Sequence, residues 1–434
     1  MLINLSTKSL NIFKGILGSG LGRSFSLLAP FIIMPLILDK VGADLFGLWV
    51  TILSFTAMAM FVDFGIGNGL LTKLSYEQGL NNYESMRVYI TSAYVVLGSI
   101  CLFLITLMLV VLYFLNLEYG SYGIVLVSMT TFILSIPISI IQKVMYAKQM
   151  IISFNLWQIV GSLTSIILCY IFIYLKLENW IVILGYSLPP LFILIVLSFI
   201  FFYNNREISP HINCFSKKKA KNLLQIGSKF LILSIFTAIA LNADNIILNI
   251  TLGSEMVTEY SVPAKLASIL GLVIGVLFMP LWASNGQALA KKDYSWVLIV
   301  TKKMSVLGFF IVSFFSVLLI YFNQEIFQIW MNRQFISQRE TLINFCLLSC
   351  VMAIASPWFM LLNSLNVINL QIKVWAIYTV LSIILKFTLI TDNNIWILSF
   401  ISFILYSIVV APLCIYIAYK KIKELKLSTL VDHN

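Results

Sequence analysis

Twelve apolar stretches follow one another along this chain: residues 12–38, 45–70, 89–116, 120–145, 154–176, 179–203, 222–250, 257–289, 297–322, 341–363, 370–391 and 395–419. Each meets or exceeds the roughly 20 residues that a helix needs to cross the hydrocarbon core of a bilayer. Several are longer than a straight span, which predicts tilt or extension beyond the bilayer. Composition closes off the other classes. Of the 434 residues, 60% are hydrophobic and 10% charged, with a mean hydropathy of +0.99. A soluble domain carries about 25% charged residues, so this chain has too little charge to cover a water-facing surface. The expected fold class is all-α, a polytopic membrane protein with twelve transmembrane helices in two six-helix lobes around a central cavity.

The loop charges set an orientation. Among the 28 Lys and Arg residues, Arg23, Lys265 and Lys386 fall within apolar stretches, and Lys40, Lys176, Arg333 and Arg339 fall on one set of alternate loops. All the others lie on the opposite side, in the alternate loops or in the parts of the stretches that border them. By the positive-inside rule that richer side is cytoplasmic, which puts both termini in the cytoplasm, as an even number of spans requires. The expected location is the bacterial inner membrane, multi-pass. The net charge of +11 is therefore read as topology and headgroup attraction, and nucleic acid is not an expected partner.

The longest polar break, Asn204 to Asn222, contains Arg206 and the run Lys217-Lys218-Lys219-Ala220-Lys221. It divides the chain into an N-terminal six-helix lobe (1–203), a basic cytoplasmic linker (204–221), a C-terminal six-helix lobe (222–419) and a basic tail (420–434). The halves echo each other. Gly42, Asp44 and Trp49 after the first stretch have the same spacing as Gly253, Glu255 and Tyr260 after the seventh. Duplicated halves of this kind place a substrate site between them.

Three features exclude other chemistry. The six cysteines show no disulfide or metal spacing, and Cys346 and Cys350, four apart on one helical face, read as packing. The two histidines, His211 and His433, fall outside the apolar stretches. No phosphate-cradling glycine loop or nucleotide motif occurs, so no cofactor, metal or direct use of ATP is expected. The polar start of the chain leads into a long apolar stretch without a small-residue cleavage site, which reads as an uncleaved first helix.

Ionisable residues inside a membrane segment are costly and mark function by default. In the first half these are Arg23 and Asp63. In the second they are Asp244 and Lys265, the latter just after Pro263. At 1.5 Å per residue along antiparallel helices, the members of each couple fall at similar depth. Two readings stand. Arg23–Asp63 and Asp244–Lys265 are buried pairs that hold helix hairpins together. Alternatively, Arg23 and Lys265 face a hydrated cavity and bind an anionic substrate, arginine forks and lysine point charges both suiting phosphate. Asp63 and Asp244 are also candidates for a coupling proton or Na⁺. Lys386, near a helix end, reads as snorkelling.

Around Asp63 the sequence runs Phe61-Val62-Asp63-Phe64-Gly65-Ile66-Gly67-Asn68-Gly69-Leu70-Leu71. Gly65, Gly67 and Gly69 at alternate positions let another backbone or a ligand approach. Asn242, Asn245 and Asn249, three and four apart beside Asp244, give the seventh stretch a polar stripe, read either as interhelical hydrogen bonding or as cavity lining. Trp282 beside Pro280 is a candidate for stacking on a sugar.

The turn Gly42-Ala43-Asp44-Leu45-Phe46-Gly47-Leu48-Trp49, the mid-span Arg23 and the run Asp63 to Gly69 resemble the polysaccharide transporter family of O-antigen and capsule repeat-unit flippases (the Wzx type). That family lies within the multidrug/oligosaccharidyl-lipid/polysaccharide exporter superfamily. The specific motif is confined to the first 75 residues or so; helix number, loop charge and length agree along the whole chain. The resemblance implies two six-helix lobes forming a V around a central cavity. It implies a non-enzymatic flippase that moves undecaprenyl-diphosphate-linked oligosaccharide repeat units from the cytoplasmic to the periplasmic leaflet by alternating access. It further implies cations on the first and eighth helices for the diphosphate, which here are Arg23 and Lys265, with the bilayer, a polysaccharide polymerase and a chain-length regulator as partners. The sequence departs from that pattern in setting acids near both cations. The alternatives are a cation-coupled multidrug exporter of the same superfamily and a membrane enzyme of polysaccharide assembly, a polymerase or glycosyltransferase.

Overall fold

The computed structural model describes residues 33–34, 36–58, 63–115, 118–331, 339–391 and 394–431. Among them every regular element is a helix. In hydrocarbon a helix satisfies its own backbone polar groups, which open strands cannot do. Ten helices are long and apolar enough to cross a membrane. They match the third to twelfth predicted stretches one for one. The first stretch, 12–38, lies almost wholly outside the described residues.

The helices, in order, are α1 (Ala43–Met58), α2 (Ile66–Gly79), α3 (Tyr83–Leu115), α4 (Tyr119–Ile138), α5 (Ile140–Ala147), α6 (Ile151–Tyr174), α7 (Asn179–Asn204), α8 (Lys217–Thr251), α9 (Ser254–Ala290), α10 (Tyr294–Tyr321), α11 (Asn323–Met331), α12 (Arg339–Ser364), α13 (Ile368–Leu389), α14 (Ile397–Leu405) and α15 (Ala411–Val431). A π-helical turn, Tyr406–Val410, joins α14 to α15, so the two form one span. By Pro137, α4 and α5 likewise form one span with a break, since proline removes a backbone hydrogen bond.

The second predicted stretch is not one helix. α1 is described as far as Met58, and α2 starts only at Ile66, after a turn at 63–65. Between them Phe64 and Gly65 both adopt positive φ, 51° and 69°, a conformation that ends one helix and lets the chain start another. The expectation that put Asp63 mid-helix is thereby corrected: it stands in a turn ahead of α2.

The chain divides into two compact units, Met1–Phe230 and Leu231–Asn434. In unit 1, small residues bring helices close. On Gly123 an added Cβ would meet the Trp180 ring at 2.8 Å, and on Gly161 the Pro190 Cα at 3.2 Å. Trp49 is fully buried among Ile33, Ile37, Ile124 and Val182 and packs edge-on against Tyr186, with ring centroids 5.2 Å apart. In unit 2, α12 is the hub. It packs on α9, α10, α14 and α15. Its buried face includes Ser349, Cys350, Ala353, Ala355 and Ser356, small side chains that permit close approach where no hydrophobic effect drives association. Cys346 and Cys350 are buried there as free thiols, with Cys350 Sγ 3.4 Å from Ser313 Oγ.

The predicted linker packs on α3. Short 3₁₀ turns, Arg206–Ile208 and Ile212–Cys214, follow α7. Arg87 donates to the Arg206 carbonyl at 2.9 Å, and the His211 N–H donates to Thr91 Oγ1 at 3.2 Å. Lys219 lies 4.1 Å from the Tyr89 ring centroid and donates to Ser85 Oγ at 3.1 Å.

Candidate functional site

The glycine-rich turn of unit 1 is built around the Asp63 carboxylate. Its two oxygens accept from the backbone N–H groups of Gly65 at 2.9 Å and Gly67 at 3.1 Å, while its carbonyl accepts from Ile66 N–H at 2.9 Å. These donors open α2, where a helix leaves its first N–H groups unpaired and carries a partial positive charge. A carboxylate there satisfies both demands. Gly67 has no room for a side chain: a Cβ would meet Asp63 Oδ2 at 2.7 Å and Lys143 Cε at 2.9 Å. Lys143 Nζ donates to Asn68 Oδ1 at 3.2 Å, tying α5 to α2.

The remaining glycine of the motif admits a second backbone. A Cβ on Gly69 would meet Ile226 Cγ2 at 3.2 Å and Gly227 N at 3.5 Å. On the facing strip of α8, a Cβ on Gly227 would meet the Phe64 carbonyl oxygen at 2.8 Å and Ile66 N at 3.0 Å. Gly65 and Gly69 thus serve a close crossing of α8 over the start of α2, while Gly67 makes room for Asp63 and Lys143. Arg23, the expected partner of Asp63, lies outside the described residues. On the same helix Lys73 is half-buried, and burial pushes its ammonium below the usual lysine range, with Lys219 adding to the effect and Glu77 opposing it.

Unit 2 holds a buried ionic cluster that the sequence reading assembled differently. Asp244 on α8 is 5% exposed, and its Oδ1 lies 2.5 Å from the ammonium of Lys386 on α13, which is 1% exposed. Its Oδ2 accepts a short hydrogen bond from the hydroxyl of Tyr260 on α9. Tyr260 is itself buried against Ile247, Leu248, Ile395 and Leu398. Lys386 is therefore not a snorkelling residue, and the expected Asp244–Lys265 pair is replaced by Asp244–Lys386. Depth counting along the chain could not see this, because α8 and α13 are far apart in sequence. The available signal was that Lys386 is a second cation in an apolar stretch near the outer end predicted for Asp244.

Lys265 stands on α9 with its side chain exposed, and it makes no ion pair among the described residues. Asn242, Asn245 and Asn249 are also exposed, on the face of α8 away from Asp244; Asn242 donates to the Ala238 carbonyl at 2.8 Å. Trp282 is 4% exposed and packed inside unit 2, where Ser364 donates to its carbonyl at 2.8 Å. Its ring is not open to a sugar in this structure.

Unit 1 contains a cavity of about 280 Å³ that no motif announced. Trp49 and Tyr186 form its aromatic wall, and Ser128, Thr131, Ser162 and Ser165 supply hydroxyls. Ser165 donates within reach of two carbonyls, Gly161 at 3.1 Å and Tyr186 at 2.9 Å. These hydroxyl oxygens retain lone pairs able to accept from a sugar or water.

The family model for the polysaccharide biosynthesis protein family matches residues 12–283. A protein of Yersinia pseudotuberculosis named for O-antigen export is 20% identical over 309 residues, 67% of this chain and 68% of that protein. Among solved structures, the Vibrio cholerae MATE transporter VcmN in its bent form superposes with a TM-score of 0.80 at 13% identity, covering 97% of this chain and 99% of the other. A MOP superfamily transporter from Pyrococcus furiosus superposes with a TM-score of 0.78 at 12% identity, covering 97% of each chain. These relatives are transporters and not enzymes. With well over half of its length matched by one family model, this multi-pass membrane protein on a MATE-type fold belongs to the polysaccharide biosynthesis protein family.

Proposed function

We propose that the chain is a flippase. It moves undecaprenyl-diphosphate-linked oligosaccharide repeat units, of the O-antigen or capsule type, from the cytoplasmic to the periplasmic leaflet by alternating access. Family membership over residues 12–283 carries this reading. The relative named for O-antigen export supports it. In this reading the protein lies in the bacterial inner membrane with both termini and the 204–221 segment in the cytoplasm, as the loop charges favour.

The physical case rests on desolvation. A diphosphate and a string of sugars do not cross hydrocarbon unaided, because burying unpaired charge costs many kcal/mol. A protein must offer water and polar groups at membrane depth. In unit 2 the exposed Asn242, Asn245 and Asn249 and the exposed Lys265 do so. Primary amides and an ammonium facing lipid would be penalised, so their exposure on spanning helices supports contact with water or cargo. Lys265, unengaged by Asp244, is available to the diphosphate, and Arg23 is the corresponding candidate in the first half. The hydroxyl and aromatic cavity of unit 1 suits sugar. No covalent step is involved.

The test is complementation of a bacterial strain lacking its repeat-unit flippase. Wild type should restore surface polysaccharide, and Arg23→Ala and Lys265→Ala should each reduce it at equal protein level. Restoration by all three alike would sink the cationic-site assignment. Failure of the wild type with every lipid-linked repeat unit tried, together with drug export, would overturn the flippase reading.

A further inference from the structure

Unit 1 carries a second, larger cavity, of about 770 Å³, away from the hydroxyl-lined one. It lies where α3 and α7 meet the 3₁₀ turns that follow α7. Tyr94 and Val95 of α3 and Phe199, Phe202 and Tyr203 of α7 form its wall. Thr91, Arg206, Ser209 and His211 line its polar end. The volume is within the range of about 300–1,000 Å³ typical of small-molecule sites.

Three observations identify its occupant. First, α3 and α7 are both membrane spans, and the cavity sits at the end of α7, where Tyr203 is the next to last residue, against the first half of α3. It is therefore placed at an interface between hydrocarbon and headgroups. Second, its apolar side opens outward: Phe199 is 75% exposed and Tyr203 71%, so an acyl chain can enter along the wall without crossing polar surface. Third, the charged lining is cationic. The Arg206 guanidinium lies 5.1 Å from the Tyr203 ring centroid and has no ion pair among the described residues. Its fork of donors suits phosphate oxygens. The nearby acid, Glu207, is engaged by Lys148 at 3.4 Å.

We propose that this cavity is a binding site for an anionic membrane phospholipid, with the phosphate at Arg206 and the first carbons of a chain along Tyr203 and Phe199. Such a lipid fastens the 206–214 turns, the first half of α3 and the end of α7 to the bilayer surface. The site belongs to unit 1 alone and stands whatever cargo the protein moves.

Native mass spectrometry of the full chain, released from bilayers containing phosphatidylglycerol and phosphatidylethanolamine, tests this. Wild type should retain phosphatidylglycerol in preference. Arg206→Ala should lower that retention about fivefold, the effect of one basic residue near an anionic surface. The substitution spares the Arg206 carbonyl that Arg87 holds, and an unchanged unfolding midpoint checks the fold. Tyr203→Ser, which removes the wall and leaves the cation, should also lower retention. Arg339→Ala, an exposed cation on α12, should not. Equal retention in Arg206→Ala and wild type would overturn the proposal. So would an equal loss in Arg339→Ala, which would mean general electrostatics, or no loss in Tyr203→Ser, which would mean a headgroup contact without a pocket. Displacement of the lipid by inorganic phosphate would reassign the site to a free anion. Preferential retention of undecaprenyl diphosphate would reassign it to cargo.

Discussion

Lys386 of α13 and Asp244 of α8 form a buried ion pair, Nζ to Oδ1 2.5 Å, with Tyr260 of α9 donating its hydroxyl to the second carboxylate oxygen. Three helices of unit 2 thus converge on one carboxylate. The pair leaves Lys265, a candidate cation nearby in sequence, outside the neutralised cluster.

Removing one partner of this pair should be worse than removing both. Lys386→Met strands a carboxylate in the interior, at an expected cost of about 3–5 kcal/mol. Asp244→Leu combined with Lys386→Met should recover part of that loss, since an apolar pair avoids desolvation of the two charges while the buried Tyr260 hydroxyl loses its acceptor. Chemical denaturation in detergent across the four-protein cycle reads the coupling. Additive losses would show that the two residues do not stabilise each other.

Asp63 acts in the structure as a helix cap. Asp63→Ala should cost about 0.5–2 kcal/mol. Asp63→Asn keeps one acceptor for the α2 N–H groups and should retain most of the stability. Transport by Asp63→Asn then separates two roles. Activity close to wild type fits a cap, whereas loss of transport at wild-type stability would point to a titrating carboxylate.

At the crossing of α8 over α2, Gly227→Ala should destabilise more than Gly69→Ala. Its Cβ would strike backbone atoms at 2.8 and 3.0 Å, where nothing can rotate away, while Gly69 faces the Ile226 side chain at 3.2 Å. Overpacking of this kind costs about 1–3 kcal/mol. Equal unfolding midpoints for the two variants would contradict this packing.

Asn245→Leu on the exposed stripe of α8 should leave stability unchanged within about 0.5 kcal/mol, as a surface change does, and reduce transport in the complementation assay. A drop in stability with unaltered transport would instead make the stripe a helix contact.

The ten described spans were legible because the bilayer imposes one length and one polarity on anything that crosses it. The family resemblance was legible at Gly42–Trp49 and Asp63–Gly69, both of which lie inside the stretch 12–283 that the family model matches. The glycines' purpose was half legible. Alternation announced a close approach, and only folding showed that Ile226 and Gly227 fill it. What the chain could not announce was pairing. Nearness in sequence and depth makes Lys265 the candidate partner of Asp244, yet α13 brings Lys386 to it across 142 residues. The apolar run around Asp63 reads as a continuous helix, and two consecutive positive φ angles, at Phe64 and Gly65, break it there. Hydropathy is a property of each residue and can be summed along a sequence. Which charge meets which, and where a helix stops, depends on side chains delivered by other helices, and that is decided only when they pack.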